Sequence, residues 1–294
     1  MAATGARPSV PDDGRPYTAR PLLADEWFGL SDVRCVSAPP AVGRPESATA
    51  FEIVFPLNGV FIRHVPRRRR PGEVLADVAH ALFFRPGEVH RIRHPLGGSD
   101  RSVVLSLSML ALDRLGLDPI AMPDAVPMSA STDLLLRGWL GALSVPADEP
   151  LRHWEFAAAL IDAVTATARD DRPRDTDSIV DLARLVVADS LAERLTLPEL
   201  GRRVGASPFH LARRFRRSTG RSIHAYRTTL RVRAAIERTA AGERDLTALA
   251  LDLGFADHSH LTNVVRRETG RPPSAFRRPP TAAELAGLRT ILQA

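Results

Sequence analysis

Arginine is the residue type in this sequence that is best suited to chemistry, and it is unevenly distributed. The 294-residue chain has 40 Lys and Arg residues, and all of them are arginine. Between Thr176 and Arg278 there are 19 arginines against 11 Asp and Glu residues, a formal net charge of +8, whereas the whole chain carries +6. A guanidinium group donates two parallel hydrogen bonds to phosphate or to the edge of guanine. This stretch predicts a nucleic-acid surface; a solvated basic surface is the alternative.

Other reactive residue types are scarce. Cys35 is the single cysteine, which excludes an internal disulfide and a multi-cysteine zinc site. His90 and His94 share one face of a predicted strand with Ile92, which is one way to hold a metal ion. Two histidines without further ligands in motif spacing nevertheless favour structural or surface histidines. The sequence has no nucleophile triad, phosphate loop or nucleotide fingerprint. We therefore predict no catalytic residue, no metal and no cofactor.

The remaining composition indicates a folded protein outside the membrane. With 44% hydrophobic and 25% charged residues, the chain has the balance of a globular protein. No stretch approaches ~20 uninterrupted apolar residues, and the first twenty residues lack the apolar run of a secretion signal. We expect a cytoplasmic protein. The four arginines at 67–70 precede Pro71-Gly72, which favours a solvated hairpin loop over a second nucleic-acid patch.

Two patterns divide the chain and predict an α+β multidomain protein. Between residues 32 and 107, short β-rich runs alternate with turns such as Asn58-Gly59, which indicates a small antiparallel barrel or sandwich. After Ser108 apolar residues recur at helical spacing. The predicted segments are a disordered tail at 1–20, a sensor barrel at 21–110, a helical dimerisation or support region at 111–169, a linker at 170–177, a helical domain at 178–278 and a C-terminal tail at 279–294.

The helical domain repeats itself at an offset of 50 residues. Eight positions return with the same or a similar residue type: Leu211, Phe215, Arg216, Arg217, Thr219, Gly220, Tyr226 and Arg227 correspond to Leu261, Val265, Arg266, Arg267, Thr269, Gly270, Phe276 and Arg277. Gly205 returns one residue early as Gly254, so the second copy has one extra residue before its second helix. Such a series indicates two copies of one supersecondary unit.

Each copy is predicted to be helix, tight turn, helix. In the first, Thr196 caps residues 197–204, and Ser207 caps a helix from Pro208 to about 218. In the second, Asp245 caps 246–253 and Asp257 caps a helix to about 269; a long helix at 222–241 joins the copies. A helix-turn-helix unit of this kind places its second helix in the major groove of DNA.

The second copy resembles the signature of AraC/XylS-type transcriptional regulators. The resemblance rests on Leu249-Ala250-Leu251-Asp252-Leu253-Gly254-Phe255, Asp257, Ser259, Leu261, Gly270, Pro273 and Phe276-Arg277, and it covers about Ser178 to Arg278. It implies an all-α DNA-binding domain with two helix-turn-helix motifs in successive major grooves. Leu261 and Val265 stand where the family usually has aromatic residues, and Asn263 where arginine is common. The strand-rich half is similar, less specifically, to the family's cupin-like sensor, which implies an antiparallel β-barrel for effector sensing or dimerisation.

The resemblance and the helical spacing together single out nine residues for DNA contact. Arg213 is suited to pair with O6 and N7 of guanine, and Asn263 is suited to pair with adenine. Phe209 is suited to contact a thymine methyl group, and Arg216 is placed near a phosphate. The complete set is Phe209, Ala212, Arg213 and Arg216 on the first reading helix and His258, Ser259, Thr262, Asn263 and Arg266 on the second. The alternatives are that Phe209 packs inward and that the polar residues are ordinary surface.

These observations predict a DNA-binding transcriptional regulator that is not an enzyme. Its expected partners are double-stranded DNA, RNA polymerase, which it recruits as an activator or blocks, a small-molecule effector and a second copy in a homodimer. Two alternatives stay open. One is a metal-dependent cupin enzyme fused to a DNA-binding module, and the other is an architectural protein that binds DNA without sequence preference.

Overall fold

The computed structural model divides the chain into two compact units. It describes residues 17–37, 41–66, 72–144, 150–170, 177–279, 281, 284 and 287. One unit contains residues 1–127 and 173–181, and the other contains residues 128–172 and 182–294. The arginine run at 67–70 and most of the predicted linker and tails lie outside the described residues. Within the described part, no helix is both long and apolar enough to cross a bilayer.

The N-terminal unit consists of antiparallel strands and one short helix. The strands are β1 (Tyr17–Ala24), β2 (Phe28–Ser37), β3 (Ala41–Val42), β4 (Glu46–Ser47), β5 (Phe51–Asn58), β6 (Val60–Val65), β7 (Gly72–Asp77), β8 (His80–Phe84), β9 (Val89–His94), β10 (Gly98–Leu107) and β11 (Ala125–Pro127), and helix α1 is Met109–Leu115. One sheet has the order β1-β2-β10-β5-β8-β11, and the other has the order β3-β9-β6-β7, with β4 also paired to β9.

The described strands form two sheets and no closed barrel, because no strand of one sheet pairs with a strand of the other. The α+β class is therefore confirmed, whereas the closed cupin-like barrel is not. Residues 17–20, predicted to be part of a disordered tail, instead pair with residues 32–35 of β2. Arg20 also lies 3.4 Å from the buried carboxylate of Asp32. The proline-rich composition of the first twenty residues concealed this edge strand.

Side chains from both sheets meet in one core. Val33, Val54, Leu82, Phe84 and Val104 come from the six-stranded sheet, and Phe61 and Ala76 from the other. Two ionisable side chains, Arg63 and Glu52, lie on strands that form this core. Arg63 is fully buried, with its guanidinium carbon 4.6 Å from the centre of the Phe84 ring and Nη2 3.0 Å from Asp124. Burial raises the pKa of Glu52, on β5, to about 7.

The second unit is helical. Its elements are α2 (Ala130–Ala142), α3 (Pro150–Asp170), α4 (Ser178–Asp189, from residue 182 onward), α5 (Leu197–Val204), α6 (Pro208–Thr219), α7 (Ile223–Ala240), α8 (Leu246–Asp252), α9 (His258–Thr269) and a 3₁₀ helix (Pro273–Arg277). The bounds of α5 to α9 lie within two residues of those predicted from capping residues and apolar spacing. The hairpin of α2 and α3 packs Trp139 parallel to Phe156, with 6.4 Å between ring centres.

A buried ionic cluster joins α2 to α7. Arg137 lies 3.0 Å from Asp133 and 3.1 Å from Glu237, and Arg233 lies 3.6 Å from Asp133. All four side chains are less than a tenth exposed. Two positive and two negative charges balance one another, which offsets part of the cost of removing them from water. The cluster therefore unites a helix of the predicted region 111–169 with the long helix of the predicted domain 178–278.

Candidate nucleic-acid interface

The first helix pair, α5 and α6, is capped as its sequence predicts. The hydroxyl of Thr196 accepts the amide of Glu199 at 3.3 Å, and the hydroxyl of Ser207 accepts the amide of His210 at 3.4 Å. Gly205 ends α5 with φ at +69°, in the left-handed region that favours glycine. These side chains satisfy amides that helix starts leave without intrahelical partners. The local sequence therefore fixes where each helix begins and where the turn lies.

The second pair, α8 and α9, repeats this construction with carboxylates as caps. Asp245 accepts the amides of Thr247 and Ala248 at 3.0 and 2.9 Å, and Asp257 accepts the amide of His260 at 2.7 Å. The inserted residue, Ala256, follows the turn. Before Ala256 the two copies correspond at an offset of 49 residues. The equivalent turn hydrogen bonds, from the amide of Ala206 to the carbonyl of Gly201 and from the amide of Phe255 to the carbonyl of Ala250, are both 2.9 Å long.

The two second helices also end alike. Thr219 Oγ1 lies 2.8 Å from the carbonyl oxygen of Phe215 and accepts the amide of Arg221 at 3.2 Å. Thr269, fifty residues later, repeats these contacts with Val265 at 2.7 Å and with the amide of Arg271 at 3.2 Å. The following glycines have φ angles of +73° and +72°. The sequence repeat is therefore also a repeat of backbone geometry.

Helix α6 buries one face and exposes the other. Leu211 and Phe215 are fully buried, and the Phe215 ring meets Tyr226 of α7 edge-on at 5.2 Å. On the opposite face Arg213 and Arg216 are exposed and Ala212 is half-buried. Phe209 is 79% exposed, so the alternative in which its ring packs inward is wrong.

Helix α9 has the same division. Leu261 and Val265 are fully buried in a cluster with residues of α7 and α8, including Ile236 and Leu249. The predicted contact residues lie on the other side: His258, Ser259, Asn263 and Arg266 are exposed and Thr262 is half-buried. Arg213, Arg216 and Arg266 make no ion pair with any described residue. Their guanidinium groups are thus available to an external anion, and the structure brings each predicted set onto one exposed helix face.

This part of the chain matches a known domain family. Residues 200–279 match a family described as a helix-turn-helix domain. The C-terminal domain belongs to the AraC/XylS family. The chain is similar to the bifunctional transcriptional activator/DNA repair enzyme AdaA of Bacillus subtilis, with 28% identity over 98 residues, which cover 33% of this chain and 46% of AdaA.

Two further relatives extend the comparison. The HTH-type transcriptional regulator RipA of Corynebacterium glutamicum is 35% identical over 91 residues, covering 31% of this chain and 27% of RipA. The multiple antibiotic resistance protein MarA of Escherichia coli is 28% identical over 105 residues, covering 35% of this chain and 83% of MarA. The chain thus spans less than half the length of AdaA and RipA, and most of MarA. Unsaturated fatty acid bound ToxT from Vibrio cholerae aligns with 86% of this chain and 95% of its own at 11% identity, with a TM-score of 0.37.

The structure of this AraC/XylS-type domain also assigns a role that sequence reasoning missed. Arg227 and Arg277 are equivalent residues of the two copies, and both donate to backbone carbonyls just before the first helix of a pair. Arg227 reaches the carbonyl oxygens of Ser190, at 2.8 Å, and of Glu193, while Arg277 reaches that of Glu243 at 3.2 Å. Burial lowers the pKa of Arg227. Some arginines of this domain therefore stabilise the fold instead of binding DNA. The recurrence of Arg227 as Arg277, fifty residues later, was the sequence feature that could have indicated this role.

Proposed function

We propose that the chain is a sequence-specific DNA-binding transcriptional regulator in which α6 and α9 are the reading helices. The main support is that the same helix pair occurs twice, and that the second helix of each pair, α6 or α9, has an exposed face opposite a buried one. Each exposed face presents at least one arginine that has no ion-pair partner among the described residues. A second helix held in this way is the element that enters the major groove in helix-turn-helix proteins.

The proposed contacts follow from the side chains on each face. On α6, Arg213 reads guanine, Phe209 contacts a thymine methyl group and Arg216 holds a phosphate. On α9, Asn263 reads adenine, and Arg266, the counterpart of Arg216, holds a phosphate. Ala212, His258, Ser259 and Thr262 complete the two surfaces. The first surface carries more charge, so we expect it to supply more of the affinity.

The length of α7 supports reading by both helices. Its 18 residues span ~27 Å as an α-helix. Successive major grooves on one face of B-DNA are ~34 Å apart. A rigid connector of this length, with a reading helix packed near each end, suits two contacts about one helical turn apart.

Selection of binding sites from a random DNA library by the full-length chain tests the proposal. We expect one enriched motif, with footprints showing two protected clusters ~10 base pairs apart on one face. Inserting five base pairs between the clusters turns them to opposite faces and should abolish tight binding. Recovery of no preferred motif would favour the architectural protein, and full affinity after the insertion would mean that only one copy reads DNA.

For the N-terminal unit we infer a regulatory role, exerted through effector binding, homodimerisation or both. We infer that the regulator acts on transcription through RNA polymerase. The support is the family resemblance together with ionisable groups, Arg63 and Glu52, placed on the core strands. Sedimentation equilibrium of the full-length chain tests the dimer. A monomer at micromolar concentration, with and without operator DNA, would leave the unit without a dimerisation role.

A further inference from the structure

Three side chains with different metal-binding atoms meet where the two sheets come together. Cys35 on β2 lies directly opposite Asp100 on β10 in the antiparallel register. His94 is the last residue of β9, in the other sheet, and the turn after it leads into β10. The thiol sulfur, an imidazole nitrogen and a carboxylate oxygen all lie within 4.8 Å of one another. The turn between His94 and Asp100 and the pairing of β2 with β10 therefore bring nitrogen, oxygen and sulfur ligands close together.

The cluster is buried and its hydrogen bonding is incomplete. Cys35, His94 and Asp100 are 8%, 3% and 6% exposed. Nε2 of His94 lies 2.5 Å from a carboxylate oxygen of Asp100, whereas the buried Nδ1 has no hydrogen-bond partner among the described residues. Ser102, two residues from Asp100 and thus on the same face of β10, also has a buried hydroxyl without such a partner. Buried polar atoms left in this way are costly, which favours a bound ligand at this cluster.

The donor set selects a class of ion. Thiolate and imidazole ligands suit Zn²⁺ and other late transition metals, whereas Ca²⁺ and Mg²⁺ take oxygen ligands. One thiolate and one carboxylate also neutralise a divalent charge, which removes the penalty of placing a net charge in an apolar core. His90, the other histidine of β9, takes no part, because its ring instead lies edge-on to Phe84 at 4.8 Å.

We propose that Cys35, His94 and Asp100 form a binding site for one divalent transition-metal ion, with Zn²⁺ as the best match. Three protein ligands leave one position of a tetrahedral site for water or another small ligand. An ion held there ties β2 and β10 of one sheet to β9 of the other, so metal binding should stabilise the folded N-terminal unit. All three ligands belong to this unit, and the site does not depend on the DNA-binding proposal.

The single cysteine makes the site directly testable by Co²⁺ substitution. The full-length chain, freed of any affinity tag and of metal by a chelator, is titrated with Co²⁺ and then with Zn²⁺. We expect one equivalent of Co²⁺ per chain, a thiolate-to-cobalt charge-transfer band in the near ultraviolet, and displacement by Zn²⁺. Because Cys35 is the only thiol in the chain, such a band can arise from no other residue. Its absence in the wild-type chain overturns the proposal without any need for a variant.

Two variants test the ligand set. Cys35→Ser should abolish the charge-transfer band and weaken Zn²⁺ binding more than about 100-fold. His64→Gln is the matched control, since His64 lies on β6 of the same unit, pairs with Glu73 and is not one of the three clustered side chains. It should retain one equivalent and the full band. A Cys35→Ser chain that stays folded by circular dichroism and binds Zn²⁺ as tightly as the wild type contradicts the site.

Discussion

Gly254, in the turn between α8 and α9, lies directly against the backbone of Leu191. A β-carbon at position 254 would stand 2.8 Å from the carbonyl oxygen of Leu191, closer than packed atoms approach. The same carbonyl accepts a hydrogen bond from Nε of Arg231 at 2.9 Å. The turn of the second helix pair is therefore packed onto the segment that follows α4, and the glycine is required by space as well as by its φ of +74°.

Substituting alanine for Gly205 and for Gly254 separates the effect of the positive φ angle from the effect of the close backbone contact. Gly205 has φ at +69°, but a β-carbon there would meet nothing within 4 Å. We expect Gly205→Ala to cost about 1–2 kcal/mol, the price of a left-handed alanine. Gly254→Ala should cost ~2–5 kcal/mol, because overpacking adds to the strain. Urea unfolding of the full-length variants measures both, and equal costs would mean that the contact with Leu191 carries no energy.

The division between base and phosphate contacts predicts different behaviour for two arginines of α6. Arg213→Ala should relax the preference at one operator position and cost ~1–3 kcal/mol at that site alone. Arg216→Ala should weaken binding to all sequences and lower the log–log salt slope by about one. Titrations of specific and scrambled duplexes at several salt concentrations measure both effects. Similar specificity changes in the two variants would contradict these roles.

The ionic cluster between α2 and α7 should be far more sensitive than a surface ion pair. Glu237→Gln leaves two buried arginines with one carboxylate, and we expect a loss of about 3–5 kcal/mol. Glu193→Gln is the control, because Glu193 is 56% exposed in its pair with Arg203 and should cost less than about 1 kcal/mol. Chemical unfolding measures the free energies. A Glu237→Gln variant as stable as the control would show that α7 does not depend on α2.

The raised pKa of Glu52 predicts that the stability of the N-terminal unit falls as pH rises. With a pKa of about 7 in the folded state against the ordinary 4.5, the folded state keeps its proton where the unfolded chain has lost it. This group therefore favours folding most below pH 4.5, and that contribution disappears as pH approaches 7. Glu52→Gln should stabilise the unit by about 2–3 kcal/mol at pH 8 and hardly at pH 4. Thermal unfolding at both pH values measures the difference; an equal gain at both would contradict this charge effect.

The helix boundaries of the C-terminal domain were predictable because their signals are local. Ser207 with Pro208, Asp257 and the glycines at 205, 220 and 270 each specify a cap or a turn from neighbouring residues. The exposed face of α6 followed from the spacing of its buried residues. Which exposed side chains contact DNA stays a prediction, because that depends on the ligand as well as on the fold.

The remaining features depend on contacts between distant residues. Arg137 and Glu237 are 100 residues apart, and no local pattern pairs them. From the sequence alone, His90 and His94 lack further metal ligands. In the folded chain the pairing of β2 with β10 sets Cys35 opposite Asp100, and His94 from the other sheet lies beside both. Sheet closure is likewise a matter of edge pairing, and strand propensity alone does not distinguish a closed barrel from two open sheets.

The ionic contacts between α2 and α7 also have consequences for the order in which contacts form during synthesis of the chain. A ribosome adds about 5–20 residues per second, so Arg137 is made about 5–20 s before Glu237 exists. During that interval Arg137 has Asp133, four residues earlier on α2, as its partner, whereas the two ion pairs that reach α7, Arg137 with Glu237 and Asp133 with Arg233, are still unmade. Closing so large a loop is entropically costly, which delays contacts of this separation. The first helix of this unit to be synthesised can pack against α3 at once, but it completes its contacts with α7 only after the four intervening helices have been made.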